Sequence, residues 1–179
     1  WERRSEDLTR ALDRDTLPMF GQRIEGDWVS RHEGTAPYGN VATIDESPLT
    51  AGVVITGSDD GVVAITRDGG ATWTRTERFP DAPALSYVSR VVASHHAEGR
   101  FYATLDRHRQ NDFRPFVYKT TDYGQTWTSI ASNLPEYGPI NVVRQHHENP
   151  DLLFVGTDVG VYVSTDRGGS WTRFMTEMP

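Results

Sequence analysis

The chain has 179 residues, sixteen glycines, ten prolines, no cysteine and a formal net charge of -7. That acidic balance argues against a surface tracking nucleic-acid phosphates, and the lack of cysteine excludes disulfides, thiolate catalysis and zinc-thiolate sites. No stretch reaches the roughly 18 apolar residues that span a membrane, and no basic segment leads into an apolar run as a signal peptide would.

The chain opens on Trp1 rather than Met, which predicts a start after processing or excision. Residues 1–4, Trp-Glu-Arg-Arg, read as an outer strand like Trp171-Thr172-Arg173. Residues 5–40 form a long polar link with Pro18 and Pro37, in which Ser5 is positioned to cap a short helix over 5–12. Links of this length inside a domain are functional or mobile. Trp28 and Tyr38 lie on this one, either to stack on a sugar ring or to anchor the link.

From residue 41 onward the sequence repeats. Thr66-Arg67-Asp68-Gly69-Gly70-Ala71-Thr72-Trp73, Thr120-Thr121-Asp122-Tyr123-Gly124-Gln125-Thr126-Trp127 and Ser164-Thr165-Asp166-Arg167-Gly168-Gly169-Ser170-Trp171 share one pattern, Ser/Thr-x-Asp-x-Gly-x-Ser/Thr-Trp. The chemistry is that of a hairpin turn. The aspartate accepts from backbone N–H groups further on, the glycine takes a positive φ, and the tryptophan opens the next strand with a large face to bury. Three β-rich runs precede each motif: 41–44, 53–56 and 62–65, then 87–93, 101–105 and 116–118, then 140–143, 152–155 and 161–163. With the strand after each tryptophan this gives four strands per repeat, the composition of a propeller blade. Asp68 and Asp122 are 54 residues apart, and Asp122 and Asp166 are 44 apart. The shorter spacing fits the period of about 40–50 residues for a blade. The longer one reflects an insertion at 106–115.

These boxes, with Gly57-Ser58-Asp59-Asp60-Gly61 and Gly156-Thr157-Asp158-Val159-Gly160, resemble the Asp-box (bacterial neuraminidase, or BNR, repeat) propellers. The resemblance is strongest to the sortilin-like bacterial members, often labelled glycosyl hydrolases. It extends over 41–179 and, before that, only to Asp7-Leu8-Thr9-Arg10. It implies an all-β fold: a partial β-propeller of about three four-stranded blades at 41–80, 81–134 and 135–179, with an outer-strand remnant and long irregular link at 1–40. It also implies a secreted or periplasmic setting. Closed propellers have four to eight blades, so further blades are expected from a longer chain, a partner or self-association.

By the same resemblance the motif residues Asp68, Gly70, Trp73, Asp122, Gly124, Trp127, Asp166, Gly168 and Trp171 are structural, and the loops at the opposite end hold the ligand. Asp59, Asp60, Asp106 and Asp112 form the pool for a catalytic carboxylate pair, and each also reads as a turn residue. His108, Arg109 and Arg114 sit on the insertion, a ligand loop or a self-paired solvated one. The pairs His95-His96 and His146-His147 recur after an inner strand, where alternation is expected to split each pair. They are read as structural, and no metal or cofactor is expected. Of the eighteen basic residues only Lys119 is a lysine, which coding bias alone would explain. The expected function is binding of a peptide, glycan or partner protein. The alternative is a glycoside hydrolase of the sialidase or xyloglucanase kind.

Overall fold

Short runs of valine, isoleucine and aromatic residues, each closed by Gly, Asp or Pro, build twelve strands in a computed structural model that describes residues 2–13, 16–17 and 38–174. The first sheet holds β1 (Val41–Glu46), β2 (Val54–Ser58), β3 (Val63–Thr66) and β4 (Thr74–Thr76). The second holds β5 (Tyr87–Ala93), β6 (Phe101–Arg107), β7 (Asp112–Thr120) and β8 (Thr128–Ser129). The third holds β9 (Ile140–Gln145), β10 (Leu153–Thr157), β11 (Gly160–Ser164) and β12 (Thr172–Arg173). Each sheet is an antiparallel meander in chain order. The chain is thus a partial β-propeller of three four-stranded sheets.

The apolar residues form two layers, one between each pair of neighbouring sheets. Ile55, Val63 and Ile65 of the first sheet meet Val91, Phe101, Leu105 and Tyr118 of the second. Tyr102 and Val117, on the other face of the second sheet, meet Ile140, Val143, Leu153 and Val155 of the third. A strand sandwiched on both faces is buried along nearly its whole length, as β6 is. The outward faces of the two end sheets carry apolar residues in solvent. Val41 is 46% and Ile44 66% exposed on the first, and Phe174 is 55% exposed beside Phe154 on the third.

The three motif turns repeat one hydrogen-bond set. Thr66 donates to Asp68 Oδ1 at 2.8 Å and accepts from Gly70 N–H at 2.9 Å, while Thr72 donates its N–H and hydroxyl to the two oxygens of Asp68 at 2.8 and 2.6 Å. Thr120, Asp122, Gly124 and Thr126 copy this, as do Ser164, Asp166, Gly168 and Ser170. The motif glycines have φ of +96°, +82° and +89°. A side chain at Gly168 would also strike Ile130. The residue before each glycine is left-handed too, Tyr123 and Arg167 included. Its N–H donates to the loop joining the first two strands, as Tyr123 does to Gly99 and Arg167 to Asp151.

These bonds hold the motif carboxylates to about 2, chiefly through the hydroxyl of Thr72, Thr126 or Ser170. An unfolded aspartate titrates near about 3.9, so folding favours the ionised form. That contribution is complete above about pH 4 and is lost as pH falls toward about 2. Urea midpoints measured from about pH 5 to 2 should therefore drop over that window, and Asp122→Asn should flatten the drop.

Two of the three motif tryptophans join neighbouring sheets. Trp127 donates Nε1–H to Thr76 at 3.0 Å and meets Phe79 edge-on at 5.2 Å. Trp171 donates to the Ile130 carbonyl at 2.7 Å. Trp73 is half-buried and turns its Nε1–H back to Gly70.

Residues 2–13 run alongside the first sheet. The helix expected over 5–12 is not there. Asp7 instead accepts from Thr9 two residues on, Ala11 is left-handed at φ 51°, and Arg75 donates to the carbonyls of Asp7 and Thr9. A helix would have needed those carbonyls for itself. Arg4 lies against Gly70, as Thr76 lies against Gly124 and Ile130 against Gly168. Each of the three stands three positions after a tryptophan in the sequence.

Candidate functional site

The turns between second and third strands share one end of the molecule with the links between sheets. Arg107 donates to the Ala84 carbonyl at 3.0 Å, Gly138 N–H to Phe113 at 2.9 Å and Asp158 N–H to Pro139 at 3.3 Å. The motif turns lie at the other end with the loops joining first and second strands. Loops at one end of a rigid sheet stack are where binding groups collect.

Between the first two sheets this end opens into a cavity of about 350 Å³ lined by Tyr38, Asp59, Leu85, Tyr87, Asp106, His108, Arg109 and Gln110. The register of β5 on β6 sets Tyr87 opposite Asp106. A single 3-10 turn, His108–Gln110, then carries the chain over the rim and closes on Asn111, which is left-handed at φ 59°. Tyr38 precedes Gly39 and Asn40, whose N–H groups both donate to Asp59 Oδ1, at 3.0 and 2.8 Å. Burial, with Asp60 and Asp59 nearby, pushes the Tyr38 phenol above its ordinary value.

Each proposed catalytic carboxylate is held from within the chain. Asp59 takes the two N–H groups just named and Asn40 Nδ2 at 3.2 Å. Asp60 is fully buried, accepting from Ser58 Oγ at 2.5 Å and from Arg10 N–H at 2.7 Å. Asp106 accepts His108 N–H at 2.9 Å and faces His108 Nδ1 at 2.5 Å, so that nitrogen carries the proton and Nε2 is left for other partners. Asp112 is clamped by Arg114 through Nε at 2.9 Å and Nη2 at 2.7 Å, and the Arg114 bonds hold its carboxyl below the usual range.

Of the residues singled out in the sequence, Tyr38, Asp59, Asp106, His108 and Arg109 share the cavity. Asp60 lies beneath it, Asp112 and Arg114 pair with each other on the adjoining hairpin, and Trp28 is outside the described residues. Leu85, Tyr87 and Gln110 also line the cavity and were not foreseen. The signal for Tyr87 was its place at the start of an inner strand. Among the described residues, Arg109 has no hydrogen-bond or ion-pair partner.

The histidine pairs correct the alternation argument. They sit in turns beyond β5 and β9, not on strands, and the rings of His146 and His147 stack at 4.7 Å. His96 Nε2 reaches the His146 carbonyl at 2.8 Å, which ties the second sheet to the third. Among the described residues no group of three metal-ligating side chains converges.

No protein-family model and no curated protein matches the chain. Solved structures do. An ancestral GH74 enzyme aligns over 79% of this chain and 19% of its own, at 16% identity and a TM-score of 0.61. The GH74 xyloglucanase from Xanthomonas campestris aligns over 79% of this chain and 24% of its own, at 16% identity and 0.60. YCF48 from Cyanidioschyzon merolae aligns over 78% of this chain and 41% of its own, at 24% identity and 0.57, and YCF48 bound to D1 peptide over 74% and 39%, at 20% and 0.53. The chain therefore spans between about a fifth and two fifths of these structures. At such identities the likeness establishes the fold alone, and that fold is a β-propeller.

Proposed function

We propose that this chain is a binding segment of an Asp-box, BNR-repeat propeller of the sortilin-like kind, holding a peptide or glycan at the cavity end without acting on it chemically. One observation carries this reading: all four candidate carboxylates are engaged by internal donors, and the two that line the cavity, Asp59 and Asp106, share it with Arg109, Tyr87 and Gln110. A general acid or nucleophile must exchange a proton or form a bond with substrate. Asp60 would have to abandon a buried hydroxyl and a backbone N–H to do so. Tyrosine and arginine are the side chains that most often anchor a bound partner. The peptide seen with YCF48 supports a peptide as the first ligand to try. The bare outward faces of the end sheets support further blades from a longer chain, a partner or a second copy.

Panels of immobilised peptides and glycans, read by surface plasmon resonance, test the proposal. A captured ligand should bind at least about 10-fold more weakly to Arg109→Ala and to Tyr87→Ala. Unchanged affinity in both variants would remove the cavity from the function. The second reading, a glycoside hydrolase, is favoured by Asp59 and Asp106 lining one cavity. It requires two carboxylates about 5–5.5 Å or 6.5–9.5 Å apart. Hydrolysis abolished in Asp106→Asn at unchanged melting temperature would establish it and sink the binding-only reading.

A further inference from the structure

At the end opposite the cavity, the contact between the second and third sheets departs from the repeat. Strand register equates Val54, Phe101 and Leu153, each paired with the first residue of its motif. The residue before each is then Val53, Arg100 and Leu152, and the residue before each motif is Ile65, Lys119 and Val163. In the first sheet both positions are core: Val53 is 5% and Ile65 2% exposed, packed against the second sheet. In the second sheet both are cations, and one is the only lysine of the chain. Both face the third sheet, flanking Tyr102, which is fully buried there.

The cations are poorly compensated. Lys119 Nζ makes one long hydrogen bond, 3.4 Å to the Arg167 carbonyl, although an ammonium has three donors. Arg100 Nε is buried without a hydrogen-bond partner. Arg167, the third cation, approaches from the motif turn of the third sheet and is paired with Asp151 at 2.5 Å. Asp151 thus balances Arg167, and among the described residues no carboxylate pairs with Arg100 or Lys119, although Arg100 meets the Tyr102 hydroxyl. Glu98, close in sequence, is engaged on the other side by Thr50 and Tyr123. Burial first, then Arg100 and Arg167, lower the Lys119 ammonium below its ordinary pKa. Like charges gathered at a half-buried contact repel each other and lose hydration. A bound anion reverses both penalties.

We infer that Arg100, Lys119 and Arg167 form a binding site for a phosphate-class oxyanion, separate from the cavity at the other end. An oxyanion bridging the Lys119 ammonium and the Arg100 guanidinium offers acceptors to the remaining Lys119 donors and to Arg100 Nε. Arginine presents planar paired donors and lysine a compact charge, the pairing that phosphate oxygens accept. The group is either free inorganic phosphate or a phosphoryl carried on a larger molecule.

The test is thermal unfolding of the full chain in inorganic phosphate, from about 0.1 to 20 mM, against sodium chloride at matched ionic strength. Phosphate should raise the midpoint saturably, by about 2–4 °C, as a specific ligand does. Generic salting-out instead rises linearly. Lys119→Gln and Arg100→Gln should each abolish the saturable part, and Arg109→Gln, at the other end, should keep it. O-phosphoserine run in parallel separates the sources: tighter binding than inorganic phosphate assigns the site to a carried phosphoryl group, weaker binding to the free ion. No saturable shift in the wild-type chain overturns the proposal whether or not the variants fold. A shift that survives in folded Lys119→Gln overturns it too.

Discussion

Trp127→Ala should lower stability by about 3–5 kcal/mol in urea unfolding, the range for emptying a buried large aromatic site. Its indole is 9% exposed, lies 5.2 Å from the Phe79 ring and donates to Thr76 on the preceding sheet. The substitution removes packing from the contact between first and second sheets and leaves the Thr76 hydroxyl to the Gly124 carbonyl alone. Trp171→Ala should cost a similar amount, because Trp171 is 4% exposed and its indole Nε1–H donates to the Ile130 carbonyl of the preceding sheet. Trp73 supplies the internal comparison. It occupies the same motif position but is half-buried, and its Nε1–H stays within its own turn. Trp73→Ala should cost under about 2 kcal/mol, in line with the smaller area removed from water. Equal losses at all three positions would mean that the tryptophans stabilise their own turns and not the contacts between sheets.

That contrast also marks what the sequence could and could not disclose. The motif turns were legible because their chemistry is local. Asp68, Gly70 and Thr72 lie within four residues of their partners, and the same bonds recur at Asp122 and Asp166. The strand order followed from them, since each turn joins a third strand to a fourth. The candidate site was only half legible. His108 and Asp106 are two residues apart, so their pairing was within reach of a sequence reading. Tyr38 and Tyr87 meet around one cavity only because two sheets pack, and no spacing in the sequence encodes that. The helix expected over 5–12 failed for the same reason. Its capping signal at Ser5 is real but weak, and distant groups, Arg75 and Asp60, claim the backbone first. The solitary lysine looked like coding bias until register placed Lys119 level with Ile65 and Val163.

Asp60→Ala should lower stability by about 2–3 kcal/mol and speed tryptic cleavage after Arg10, because Asp60 is an anchor for the N-terminal segment. Its Oδ2 accepts the Arg10 N–H across fifty positions of sequence, and its carbonyl accepts from Arg10 Nε at 2.9 Å. Without the carboxylate, the Ser58 hydroxyl can still donate to the Val62 carbonyl at 3.2 Å, but the Arg10 N–H is orphaned. A part-buried donor left unmatched costs about 1–3 kcal/mol. Asp60→Asn retains an oxygen toward Arg10 and should lose about half as much. The order of the two variants separates the roles proposed for this residue. An anchor is partly rescued by asparagine in stability and keeps its ligand affinity, since Tyr38 reaches the cavity from the segment beside Asp60. A catalytic carboxylate is not rescued, because asparagine cannot exchange the proton. Protease sensitivity near wild type in Asp60→Asn, with ligand affinity intact, fits only the anchor.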